Sequence, residues 1–390
     1  MDILFLAPHP FFQNRGTPID ALLVARVLSE RTDTRVDMLT YPEGEHVELT
    51  DVMIHRISNL KITRGVRPGF SVKKIICDVL MLFKAWGMVR TKHYDFVHAD
   101  EEAVFIALFF RWLYKIPYAY DLDSSIAQQV VEKKPFLRIL SPFLTWLEAQ
   151  AIKRAMINLP VCNALFDLCE KEGSQKTITL HDISQLTRPN SPQTGRLKAD
   201  LGITGLVLLY IGNFEVYQGV DLLLDGFALA SQQNRDIFLV LIGGVEEDIR
   251  TYQKRAEDLG IQERAFFLGP KPFSRLDEYL CEADILVAPR LRGINTPMKI
   301  FPYMHSGRAV LLTNLPTHTQ LVSSEQAYLA DPTAAGFAAA INRLAGDREL
   351  RERLGRNGYA FVESNHTYDA HKRRVMEAYD YVESRLGNGV

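Results

Sequence analysis

Cysteine is scarce: Cys77, Cys162, Cys169 and Cys281 are the four in 390 residues. None forms a C-x-x-C pair, and no histidine cluster sits beside them. Neither a zinc site nor a disulfide framework is expected, and a reducing cytoplasm is the default compartment. Long apolar runs are missing too. The longest, residues 103–110, is far too short to span a bilayer. The first residues, MDILFLA, carry no basic stretch and read as a strand rather than a signal peptide. Charge nearly cancels at −2, which argues against a polyanion such as nucleic acid as the partner. A protein of the cytoplasm is expected, soluble or peripheral on the inner face of the cell membrane.

Apolar residues make up 47% and charged ones 24%, the balance of a folded chain. At this length two domains are expected, each able to bury its own core. In the first half, residues 3–7, 35–41, 53–57, 95–99, 117–121, 157–161 and 177–180 read as strands. Residues 19–31, 70–92, 103–114 and 142–153 read as helices between them. This alternation predicts a parallel sheet with helices on both faces. Residues 187–204 are polar, aperiodic and rich in Pro, Ser and Gly, the composition of a linker. The pattern then restarts, with strands at 206–212, 237–243, 265–268, 285–289, 310–312 and 327–330 and a helical tail from 334 to 386. The expected domains are 1–187 and 205–366, joined by a linker at 188–204, with a C-terminal helix at 367–390 packing back on the first. Ligands of such sheets bind outside the carboxyl ends of the strands.

Residues 293–314 concentrate the chemistry. They read as a loop, a short helix, a glycine and a buried strand. Pro297 suits the first turn of a helix, Thr296 can cap it, and Gly307 can end it. Asn295, Thr296 and the N–H groups of Met298 and Lys299 then form a helix start that can cradle a phosphate, or one that is merely capped.

Four stretches carry a resemblance. They are the loop ending Arg15-Gly16-Thr17, then Tyr210-Ile211-Gly212-Asn213-Phe214-Glu215 running into Gln218-Gly219-Val220-Asp221, then Phe267-Leu268-Gly269, and Ala283-Asp284-Ile285-Leu286-Val287-Ala288-Pro289 leading into the segment above. Taken together, over nearly its whole length, the chain resembles the family-4 glycosyltransferases, which are retaining nucleotide-sugar enzymes. The resemblance implies an α/β GT-B fold of two Rossmann-like domains facing across a cleft, with C-terminal helices crossing back to the first. It implies a UDP- or GDP-type sugar donor on the second domain and a glycan or lipid-linked acceptor on the first. Transfer would proceed with retention, in polysaccharide or glycolipid synthesis, with no separate cofactor and no metal.

The chain departs from that family at several points. The second Glu of its Glu-x7-Glu signature falls on Pro302, and the first near Ile294 or Asn295. The Arg and Lys that face the diphosphate in the family fall on Asn213 and Gln218, and a His that touches the donor sugar falls on Asp123. Two readings follow: a divergent transferase that holds the diphosphate by other groups, or a non-catalytic nucleotide-sugar-binding or scaffold protein of the same fold. A GT-B epimerase or sugar phosphorylase is a third.

Negative charge grows on a diphosphate as the glycosidic bond breaks, so a transferase needs cations or aimed N–H groups there. Arg290, at the end of a strand, and Lys299 are the candidates to replace the missing pair, with Arg292 and Lys271 behind them. Gly16 lets a phosphate or sugar approach the backbone closely, and Arg15 beside it can reach a phosphate. Gly212, Asn213 and Gln218 follow the first strand of the second domain, where the nucleotide would approach; Glu215 there can orient a loop. Asp121 and Asp123 end a strand, and Asp123 can bond sugar hydroxyls. Glu101 and Glu102 can position or deprotonate an acceptor hydroxyl, or simply suit a helix start. His318 is a further candidate. Residues 61–93 hold eight Lys/Arg against one acid, Asp78, interleaved with Phe70, Ile75, Phe83 and Trp86. That mixture fits an anionic membrane surface, or an ordinary amphipathic helix with a solvated basic face.

Overall fold

The computed structural model describes residues 1–13, 16–66, 71–126 and 141–387. The chain divides into two compact units, Met1–His181 with His371–Val390, and Asp182–Ala370.

In the first unit the strands are β1 (Asp2–Ala7), β2 (Arg35–Thr40), β3 (Val52–Arg56), β4 (Phe96–Asp100), β5 (Tyr118–Leu122) and β6 (Ile157–Pro160). The helices are α1 (Gly16–Ser29), α2 (Val72–Thr91), α3 (Val104–Tyr114), α4 (Ser141–Arg154) and α5 (Asn163–Lys171). The sheet is parallel, in the order β3-β2-β1-β4-β5-β6. Every residue of β4 and β5 is buried, which is why these strands read as runs rather than alternations: helices cover both faces. Ser71 caps α2, its hydroxyl accepting from the Lys74 N–H at 3.2 Å.

The second unit repeats the plan. It holds α6 (Arg196–Leu201), β7 (Leu206–Gly212), α7 (Val220–Gln233), β8 (Ile237–Gly243), α8 (Glu246–Asp258) and β9 (Ala265–Phe267). It continues with α9 (Leu276–Glu282), β10 (Ile285–Ala288), α10 (Ile300–His305), β11 (Ala309–Thr313), α11 (Pro316–Thr319), β12 (Tyr328–Ala330), α12 (Ala334–Gly346) and α13 (Arg348–Asn365). The order is β12-β11-β10-β7-β8-β9, again parallel. The final helix, α14 (Tyr368–Gly387), passes from the second unit into the first, where Tyr379 Oη bonds His98 Nδ1 at 2.8 Å.

Several local readings change. Helix α1 begins at Gly16, three residues before the expected start. Residues 177–180 make one isolated bridge, Asn158 to Thr177, rather than a strand. The expected linker holds α6 and sends Leu197 and Ile203 into the core of the second unit. It is tied down by Glu282, whose carboxylate accepts from Thr194 N, Thr194 Oγ1 and Gly195 N. The largest change is before α10. Residues 297–299 form a turn, with Ile300 N–H donating to Pro297 O at 3.1 Å, and the helix starts at Ile300. Thr296 caps nothing; its hydroxyl is buried and unpartnered. Gly307 does end the helix, at φ +73° with its N–H on Met304 O. Pro302 sits in the first turn, where a missing N–H costs no helical bond.

The β7–β10 ladder pairs Leu208 and Leu209 only. Beyond it, the hydroxyl of Tyr303 accepts from Ile211 N–H at 2.7 Å and donates to Ile211 O at 3.1 Å. One side chain of α10 thus replaces a strand where β7 and β10 part. Tyr303→Phe should strand both groups and cost about 1–3 kcal/mol. Urea unfolding would read this as a lower midpoint at unchanged slope; an unmoved midpoint would show that the hydroxyl is dispensable.

Candidate functional site

The parting of β7 and β10 leaves room at their carboxyl ends, and Lys299 enters it. Its Nζ donates to Tyr210 Oη at 3.1 Å and to Gln218 Oε1 at 3.0 Å, 4.2 Å from the Tyr210 ring centre. Tyr210 is fully buried in β7, and its hydroxyl donates to Asn213 O at 2.6 Å. A Cβ on Gly212 would meet Lys299 Nζ, so a side chain there would displace the ammonium from its present place. Gln218 lies in a 3-10 turn ended by Gly219 at φ +74°, where a side chain would strike the carbonyl of Pro289. Burial, and then the Arg290 guanidinium, push Lys299 down to about 7.

Arg290 folds back on its own loop. Its Nε donates to Arg292 O at 2.7 Å, its Nη2 to Asn295 Oδ1 at 2.9 Å, and it lies over the Tyr217 ring. Thr317 Oγ1 on Asn295 O, Gln320 Nε2 on Ile294 O and Thr313 Oγ1 on Arg290 O stitch the loop to β11 and α11. His318 is fully buried; its Nδ1 meets Thr313, its Nε2 has no hydrogen-bond partner, and burial lowers it to about 4. It is a neutral imidazole at physiological pH.

The strand ends of the first unit are acidic instead. Asp20 from α1, Asp121 from β5 and Asp123 just after it each bring a carboxylate oxygen within 4.8 Å of the other two. His98 Nε2 meets Asp121 at 3.1 Å, and His9 Nε2 meets Asp100 at 2.9 Å. Burial first, then Asp123 and Glu101, raise Asp100 well above the usual carboxylate range. Crowded like charges are relieved by protonating one of them.

Residues 196–361 match the model of glycosyl transferases group 1. The D-inositol 3-phosphate glycosyltransferase of Corynebacterium glutamicum (strain R) is 28% identical over 115 residues, a match spanning 28% of this chain and 28% of that protein. Among solved structures, the sucrose-phosphate synthase of Thermosynechococcus elongatus superposes with a TM-score of 0.77 at 17% identity, covering 98% of this chain and 99% of the other. HepE of Anabaena, solved in complex with UDP, gives 0.77 at 15% identity over 97% and 100%. The fold is GT-B.

Within the stretch that matches this family model, Gly212, Gln218 and Lys299 come together, and Arg290 with Asn295 forms the adjoining loop. Met298 is half-buried in the turn before α10. Asn213 is exposed and its Oδ1 accepts from Glu215 N–H at 3.4 Å, so it shapes its own turn. In the first unit, Gly16 stands exposed at the start of α1, with nothing within 4 Å of an added Cβ. Arg15 lies outside the described residues. Glu101 is engaged by Lys74 Nζ at 3.2 Å, and Glu102 by the same ammonium at 2.6 Å. Burial works against the charge of Glu101, but Lys74 outweighs it and holds the carboxyl below its ordinary value. Sequence reading missed Tyr210, Tyr303, Lys74 and Asp20. A period of two or 3.6 does not show where a hydroxyl lands.

A lysine with a lowered folded pKa binds fewer protons folded than unfolded between the two values. The burial cost of Lys299 is therefore full below pH 7 and relieved as pH rises towards 10. Without ligand, the wild type should gain stability relative to Lys299→Met on going from pH 6.5 to pH 9, measured by urea unfolding. A constant difference would show that Lys299 is not strained by burial.

Proposed function

We propose that this chain transfers a sugar from a nucleoside diphosphate sugar, of the UDP or GDP type, to a glycan or lipid-linked acceptor in polysaccharide or glycolipid synthesis. The observation that carries the reading is Lys299, a cation held at the carboxyl end of β7 by two neutral oxygens. Burial, and then a second cation, Arg290, lower its pKa. Two like charges kept near each other favour a dianion between or beside them. A diphosphate supplies it, and the negative charge that grows on it during transfer is stabilised in place. HepE, of the same fold, takes UDP, which supports the nucleotide class. The free, buried cysteines fit a reducing cytoplasm.

On this reading Lys299 takes over the charge that relatives of the family-4 type place at position 218. Gln218 becomes its acceptor. Pro302 leaves the ribose to backbone groups of residues 295–299. Asp123 bonds sugar hydroxyls, and the leaving phosphate helps to deprotonate the acceptor. Retention follows from the family-4 resemblance. The proline at 302 also supports a second reading, in which the donor is bound but not transferred.

A panel of UDP- and GDP-sugars decides between them. Turnover is expected with at least one, and Lys299→Met should lower kcat/KM at least about tenfold, or ~1.4 kcal/mol. Binding without turnover favours the second reading. Binding of no nucleotide overturns both.

A further inference from the structure

We propose that α2, α3 and α4 form a face by which the protein docks on an anionic lipid bilayer. The proposal stands apart from the transfer reaction and from the donor site. On α2, Val72, Ile75, Val79 and Phe83 recur at spacings of three and four, and all are exposed. The opposite stripe, Cys77, Met81 and Ala85, is the one buried in the core. An amphipathic helix with a second apolar stripe turned outward lacks the partner that stripe needs. Phe83 is 60% exposed, Trp112 on α3 67%, and Phe143 and Trp146 on α4 57% each.

These side chains lie on neighbouring elements. Trp86 of α2 meets Phe109 of α3 edge-on at 6.0 Å, and its Nε1 donates to Tyr114 Oη at 2.7 Å. Phe109 lies 6.4 Å from Trp112. Helix α4 packs beside α3, and its Phe143 and Trp146 stack at 6.0 Å. Trp86, Trp112 and Trp146 are the three tryptophans of the chain. All are on these helices. Indole, with an apolar body and a polar N–H, suits the boundary between lipid and water.

Charge selects the partner. The three helices contain seven Lys/Arg and two acids. Neither acid is free to repel lipid phosphates. Asp78 accepts a hydrogen bond from the Tyr41 hydroxyl, and Glu148 is buried, accepting from Ser125 Oγ and Ile126 N–H. Lys74 is turned inward to Glu101 and Glu102. Lys73, Lys84, Arg90, Lys153 and Arg154 remain exposed, with Arg111 half-exposed. A second copy of the same face would set bases against bases. An anionic surface satisfies both the bases and the rings. No helix among the described residues is long and apolar enough to cross a membrane, so the face rests on the bilayer.

The expectation drawn from residues 61–93 is thereby redrawn. Lys74 faces inward, Lys92 is paired with Asp2 and Asp37, and Arg67 and Phe70 lie outside the described residues. The docking face instead takes in α3 and α4.

The test uses the full chain with vesicles of phosphatidylcholine, alone or mixed with phosphatidylglycerol. Co-sedimentation is expected with the mixed vesicles at low salt, and it should fall at high salt. Tryptophan emission should shift to the blue on binding. Lys84→Glu/Arg90→Glu and Trp112→Ala/Trp146→Ala should each weaken vesicle binding at least about tenfold. Both variants change exposed residues, and unchanged circular dichroism and thermal midpoint would confirm that they fold. Equal binding by wild type and variants overturns the proposal. So does a wild-type dimer that the Trp variant dissolves, or no vesicle binding at all. None of these outcomes depends on whether any sugar donor is turned over.

Discussion

Two strands that part, β7 and β10, set the geometry of the second unit. Parallel strands satisfy each other's backbone only while they run together, and here the ladder stops after Leu209. The groups left at Ile211 must be bonded, since a buried unpaired backbone group costs about as much as a lost hydrogen bond. Tyr303 supplies that bond. To do so α10 must begin close to the strand ends, and this delivers Lys299, one residue before the helix, into the gap. Gly219 is then fixed by the Pro289 carbonyl that crowds it, and Gly212 leaves room for the Lys299 ammonium. The position of the lysine follows from the way the sheet opens.

The two units solve opposite electrostatic problems at the same place in the same topology. In the second, Lys299 and Arg290 sit at the strand ends, and burial lowers the lysine. In the first, Asp20, Asp100, Asp121 and Asp123 crowd together, and burial raises Asp100. Each arrangement is costly without a ligand of the opposite or hydrogen-bonding kind. Perturbed groups clustered at strand ends mark candidate binding sites.

What the sequence made legible was periodic or compositional. Among the described residues, twelve parallel strands in two sets of six follow from buried apolar runs alternating with helical stretches, and the fold follows from that alternation. Gly307 was legible as a helix end because only glycine takes that conformation cheaply. Thr296 was misread because a residue before Pro297 looks like a cap, whereas the chain makes a turn there and starts the helix at Ile300. Gln218 looked like a loss of charge. Only the fold shows that Lys299, 81 residues later, reaches its side chain. Tyr210 was invisible because strand periodicity assigns a face, not the reach of a hydroxyl. The linker failed for a related reason: Leu197 and Ile203 are too few and too far apart to register as a pattern, yet each is buried.

Helix α2 joins two features that the sequence presented as one basic stretch. Lys74 turns in to the carboxylates of Glu101 and Glu102 at the end of β4, and Asp78, one turn on, bonds Tyr41 just after β2. Ile75, Val79 and Phe83 turn out. A helix cannot rotate to improve one face without moving the other, and its inward contacts are buried and ionic, so they are the costlier to break. The outward stripe is therefore held in register by the acidic strand end of the first unit. Among Lys73, Lys74, Lys84 and Arg90, the one inward lysine neutralises that strand end while the other three stay on the surface. The same geometry that tunes Glu101 thus also decides which charges of α2 are available outside.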